Sequence, residues 1–199
     1  LSGQMRLSKQ GTGRVYYSMR MNYAKNEESA EPIHAGIQVK REYSVQRDDK
    51  WQLIKSPMQL KKGELVRVDL FVSSPTARQF VVINDPIPGG LEPVNRDLAT
   101  ASRVDASYSP TPGSHWFANT NWSPYGHYGW SFYHKELRHD SARFYSDYLP
   151  LGDYHLSYTA QAIAAGEFSV MPVKVEEMYD PDVYGLGLPA MLKVDHPGD

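Results

Sequence analysis

Hydrophobic residues recur at every second position through most of this chain, and a helical 3.6-residue period is nearly absent. Successive side chains of a strand point to opposite faces, so this period forces extended segments with one face turned to a core. In Arg14–Tyr23 the positions Val15, Tyr17, Met19, Met21 and Tyr23 share one face, which predicts a strand buried on that side. Ile37, Val39, Tyr43 and Val45 do the same, with Arg41 as a single cation on the apolar face. Val66, Val68, Leu70 and Val72 form a third such face against Leu65, Arg67, Asp69 and Phe71. Tyr154, Leu156, Tyr158, Ala160 and Ala162 form a fourth, opposite His155, Ser157, Thr159 and Gln161. Phe80-Val81-Val82-Ile83 is apolar on both faces, which predicts a central strand with Val82 inside. Phe168–Val175 and Leu188–Val194 complete the set. Glycine and proline clusters separate the runs, at Gly11-Thr12-Gly13, Lys61-Lys62-Gly63, Pro86 to Gly90, Pro150 to Asp153 and Ala165-Gly166. Some eight strands joined by short turns predict an all-β chain, an antiparallel β-sandwich.

Residues 99–131 break this rhythm as a long insertion rich in Ser, Pro, Gly and Asn, yet holding Tyr108, Trp116, Phe117, Trp122, Tyr125, Tyr128 and Trp130. Connections this long tend to be functional or disordered, and aromatic content argues against disorder. Two readings stay open: rings that plug a satellite core under the loop, or rings that form a contact surface.

The residue inventory excludes several chemistries. With no cysteine, the chain has no disulfide, thiolate metal site, cysteine nucleophile or internal thioester. At 199 residues, one core and one domain over 1–199 are expected. Net charge is +4 over residues 1–100 and −6 over 101–199, without the clustered basic face that a nucleic-acid partner requires. No apolar run approaches the ~18 residues of a membrane span, so direct membrane insertion is not expected. No Gly-x-Ser-x-Gly elbow is present, and Gly11-Thr12-Gly13 leads into a strand rather than a helix. His134 and His139 stand five apart and would face opposite sides of a strand, so this pair does not make a zinc motif. Convergence of His115, His127 and His134 near the insertion is a distant metal reading. Asp180-Pro181-Asp182 starts like a calcium loop, but Tyr184 stands where a third oxygen ligand belongs, and Pro181 and Gly185 make the segment a turn. No cofactor and no catalytic constellation are expected.

Several segments, in order, resemble one family. Phe80-Val81-Val82-Ile83-Asn84-Asp85-Pro86-Ile87-Pro88-Gly89-Gly90-Leu91-Glu92-Pro93-Val94-Asn95 is similar to a segment of the C-terminal macroglobulin domain of bacterial α2-macroglobulins. Leu149 to Ala160 with Gly166-Glu167-Phe168, and Glu176-Glu177-Met178-Tyr179-Asp180-Pro181-Asp182-Val183-Tyr184-Gly185, resemble the same domain. Gly13 to Tyr17 and Lys62 to Val68 fit it as well. The resemblance implies a macroglobulin-type, fibronectin III-like β-sandwich, cut from a much larger multidomain protein of the bacterial periplasm that traps proteases. It implies no enzymatic activity. Its partners would be other domains of the parent chain, which it would hold in the resting state or shield at a thioester domain, and target proteases through the parent. Asn84, Asp85, Pro86, Pro88, Gly90, Glu177, Asp180 and Pro181 are then expected to shape turns. Trp116, Trp122, Tyr125, Tyr128, Trp130, Met178 and Tyr179 are candidate contacts with a partner domain. The competing reading is a carbohydrate-binding module that stacks sugars on Trp116, Trp122 and Trp130.

Overall fold

The computed structural model of the chain describes residues 6–18, 31–94, 132 and 134–196, and among these run fourteen strands and no helix. One sheet has the order β1 (Ile33–Ala35), β13 (Asp180–Leu186), β12 (Lys174–Glu177), β6 (Arg78–Pro86), β9 (Ser141–Leu149), β8 (His134–Leu137). A second has the order β3 (Lys50–Ile54), β2 (Gln38–Arg47), β5 (Leu65–Ser74), β10 (Gly152–Ala162), β7 (Leu91–Pro93). A third holds β11 (Gly166–Val170), β14 (Ala190–Asp195) and β4 (Met58–Lys61), with β14 and β4 parallel and the other pairings of the three sheets antiparallel.

The core lies between the first two sheets, where the alternation places it. Across β2, β5 and β10 the register sets Val39, Val72 and Tyr154 in one inner row, Tyr43, Val68 and Tyr158 in another, and Val45, Val66 and Ala160 in a further one. All nine are buried. The facing sheet contributes Val81 and Ile83 of β6, Phe144 of β9 opposite Ile83, and Val175 of β12 on its other side. Full burial of such a side chain is worth ~1.5–3 kcal/mol, so these rows supply most of the driving force.

Several expectations are corrected. Arg14–Ser18, the described part of Arg14–Tyr23, forms no strand, and Val15 and Tyr17 are exposed. Phe168–Val175 is not one strand: Met171-Pro172-Val173 divides β11 from β12, which lie in different sheets, and Pro172 cannot donate to a ladder. Asp180–Gly185 is strand β13 rather than a turn; β1 pairs only with Tyr184–Leu186, so Pro181 sits where no second neighbour needs its missing N–H. Gly185 is required there by packing, since a Cβ would meet the Ile37 carbonyl oxygen at 2.6 Å. Strand β6 is central as expected, but Val82 lies half-buried on its outer side while Val81, Ile83 and Asp85 face the core.

The outer side of β5 also departs from the one-sided reading. Arg67, Asp69 and Phe71 are buried. Their charges are paired, with Arg67 Nε donating to Asp69 Oδ2 at 2.9 Å and His155 Nε2 2.8 Å from Asp69 Oδ1. His155 stacks on Phe71 at 4.7 Å, and Arg67 lies over the Trp51 ring. Pairing of this kind is what lets charged groups leave water.

Candidate interaction surface

The segment Asn84 to Gly90 does structural work. Asn84 Oδ1 accepts from Arg143 Nε of β9 at 3.1 Å, tying the central strand to its neighbour. Pro86 closes β6, and the Pro88 carbonyl accepts the Leu91 amide at 2.9 Å, a tight turn into β7. Gly90 is set by contact: a Cβ there would meet the Phe168 ring at 2.5 Å, so its absence lets β11 lay that ring on the turn.

Asp85 is not in the turn but in the core, wholly buried on the inner face of β6. Arg41, the cation that interrupts the apolar face of β2, reaches across the sandwich and donates to Asp85 Oδ1. Tyr158 of β10 donates to Asp85 Oδ2 at 2.8 Å, and Arg41 Nη2 donates to the Met171 carbonyl at 2.9 Å. Burial pushes the Asp85 carboxyl up, against the pull of the Arg41 guanidinium and the hydrogen bonds from Tyr158 and Arg41. Burial likewise pushes the Tyr43 and Tyr158 hydroxyls up, and both stay protonated. The cluster joins three strands of two sheets and binds the layers together.

The tip of the β12–β13 hairpin holds two adjacent exposed side chains of the family-like segment. Met178 and Tyr179 form the turn and are 45% and 80% exposed. Glu177 anchors the turn to β6, its Oε1 accepting the Gln79 amide at 2.8 Å, and the Met178 amide donates to the Phe80 carbonyl at 2.9 Å. Asp180 Oδ1 accepts the Asp182 amide at 3.3 Å and stiffens the departing strand. Phe80, 40% exposed, meets Tyr179 edge-on with ring centroids 5.2 Å apart. Tyr148, also exposed, is paired with Gln79 one step along β9. A thioether and two aromatic rings, held by the turn and by β6, make an apolar surface suited to a protein partner.

The structure brings Met178, Tyr179, Glu177 and Asp180 together, joined by Phe80, which the sequence reading placed inside. Asn84, Asp85, Pro86, Pro88 and Gly90 lie apart, within the sandwich and its turn. Trp116, Trp122, Tyr125, Tyr128 and Trp130, with His115 and His127, lie outside the described residues. His134 is on β8, its ring 5.5 Å from that of Tyr145, and no metal-holding group of three or more His, Asp or Glu is found among the described residues. A sequence signal for the buried pair was present: Arg41 on an apolar face demands a buried acid, and Asp85 is the acid that follows the most apolar run in the chain.

Comparison with known proteins converges on one family. A sequence model of the bacterial alpha-2-macroglobulin MG10 domain matches residues 36–182, about three quarters of the chain. The chain is 24% identical over 198 residues to the alpha-2-macroglobulin homolog of Nostoc sp., covering 96% of this chain and 9% of that protein. It is 28% identical over 182 residues to circularly permutated Ras protein 2 of Dictyostelium discoideum, covering 90% of this chain and 4% of that protein. It thus spans less than a tenth of either curated relative. The structure of trypsin-activated alpha-2-macroglobulin from Escherichia coli superposes with a TM-score of 0.62 at 25% identity, over 85% of this chain and 11% of that one. Strand content, sandwich core and matched length agree, and the chain belongs to the bacterial alpha-2-macroglobulin MG10 domain family.

Proposed function

We infer that this chain is a non-catalytic interaction domain of a periplasmic alpha-2-macroglobulin-type protease inhibitor, and that the Met178–Tyr179 tip docks on another domain of the same parent chain. The observation that carries this is the tip itself: two apolar side chains held out into solvent by a carboxylate and a backbone hydrogen bond that fix the turn to a central strand. Ordering exposed apolar side chains has no benefit to an isolated domain and pre-organises a contact. The occupant is a neighbouring domain because the chain covers about a tenth of the solved relative, leaving the rest of such a protein to meet it. That relative was activated by trypsin, which fits a resting state that a protease releases. In that state the tip holds the parent's conformation and shields the thioester domain of members that have one.

The test places a photo-activated benzophenone amino acid at Tyr179 of the full-length parent. Cross-linking to another domain of the same chain before protease exposure, with loss of that product after cleavage, is the expected result. Absence of any interdomain product in the resting protein overturns the reading.

A further inference from the structure

Strand β6 takes one irregular step. Gln79 pairs with Tyr148 and Val81 with Ser146, so the register runs unshifted past Phe80 and Asp147, yet the Phe80 backbone sits at φ 51°. Bulky side chains avoid this left-handed region, and a strand residue held there has its side chain re-aimed. Here the result is specific. The Phe80 ring is turned edge-on to Tyr179, with an interplanar angle of 86°, and the backbone groups at this step, Gln79 N–H and Phe80 C=O, bond to Glu177 and Met178. On the other side of β6, Glu177 pairs with Val81, and the register of β12 against β13 shifts between Glu176 and Glu177. Two irregularities therefore meet at the tip. Strain of this kind persists only where surrounding structure fixes it, and it is found where a side chain must be aimed.

We propose that Phe80 is a positioning residue of the docking surface: the left-handed step at Phe80 in β6 seats Tyr179 against the Phe80 ring, and so fixes the direction in which the tip meets its partner domain. This rests on the docking reading given above. The partner contacts Tyr179; Phe80 acts through it.

The experiment uses the full-length parent with the benzophenone amino acid at Met178, leaving Tyr179 in place, in the otherwise unaltered chain and in Phe80→Gly and Phe80→Tyr variants, with melting temperature measured for each. Glycine suits φ 51° and leaves the backbone unstrained, so Phe80→Gly keeps the melting temperature while the interdomain cross-link falls roughly three- to tenfold, the scale of one aromatic pair. Phe80→Tyr restores the edge contact and retains the yield. A full yield in Phe80→Gly overturns the positioning role and leaves the docking reading standing. Equal losses in both variants, accompanied by a lower melting temperature, assign Phe80 to stability and also overturn it. No interdomain product even in the chain unaltered at Phe80 defeats the docking reading and this inference with it.

Discussion

Arg41 and Asp85 show how one residue pair can hold two sheets in place. Both side chains are almost fully shielded from water, so removing Arg41 leaves the Asp85 carboxylate buried without a counter-charge. Arg41→Met leaves a buried carboxylate unpaired and should cost ~3–5 kcal/mol, while the double variant Arg41→Met, Asp85→Leu should recover most of that, because an apolar pair has no desolvation penalty. Urea denaturation of the single and double variants checks this; a double variant no better than Arg41→Met would mean the pair is not the coupled unit described. Tyr158→Phe removes one donor to Asp85 and should cost ~1–3 kcal/mol in the same assay. At this scale the sequence was half legible. An arginine on the face shared with Val39, Tyr43 and Val45 announces an internal acid, but the partner stands 44 residues away, and a single chain carries no record of which distant acid it meets. The family motif placed Asp85 in a turn because prolines follow it; its side chain in fact points inward one residue before the strand ends.

Strands were legible where an inner face is apolar throughout, as in β5 and β10, or apolar but for one cation, as in β2, and illegible where an inner face mixes polar and apolar residues. Strand β9 went unread because its inner face is Ala142, Phe144 and a buried Ser146, a pattern too mixed to show a period. Strand β13 was read as a turn because Pro181 and Gly185 stand in it, one beyond the reach of β1 and the other forced by the Ile37 carbonyl. The central strand β6 gives the sharpest contrast between pattern and fold. Its run Phe80 to Ile83 is apolar throughout, yet only Val81 and Ile83 face the core, and the left-handed backbone at Phe80 goes with an outward ring. Ile83 pairs with Phe144 and Val175, so Ile83→Asp buries a charge with no counterion and should abolish cooperative folding. Val82 stands outside, paired with Tyr145 and Glu176, and Val82→Asp should cost only ~1 kcal/mol, typical of a point substitution. Thermal melts of the two variants should differ widely, and matching curves would sink the assignment of faces.

Across the whole molecule the joint between the three-stranded sheet and the sandwich depends on Glu64. Its carboxylate takes a two-pronged bond from Arg47 at the end of β2 and the Lys61 amide at the end of β4. Around it the backbone closes the same joint, with Lys62 N–H donating to Asp195 and Gly63 N–H to Ala162. Partial burial raises the Glu64 carboxyl, but the bonds from Arg47 and Lys61 outweigh it and hold the group below the usual carboxylate range. A carboxyl lowered in the folded state binds protons more readily when unfolded. Its contribution is therefore complete above the unfolded value of about 4.3 and is lost as pH falls through the folded one. Asp85 has the opposite sign: its carboxyl is raised by burial, so protonation favours the folded state, and acid does not open the sandwich through it. The two signs separate the molecule into parts. On acidification the joint should loosen before the core does, seen as faster amide exchange in Met58–Lys61 while Leu65–Ser74 stays protected. Glu64→Gln removes the titrating group, so exchange at Met58–Lys61 should lose most of its pH dependence in that variant, after correction for the intrinsic rate. Simultaneous loss of protection in both segments would show that the third sheet is not a separable unit, and that acid acts on the core directly.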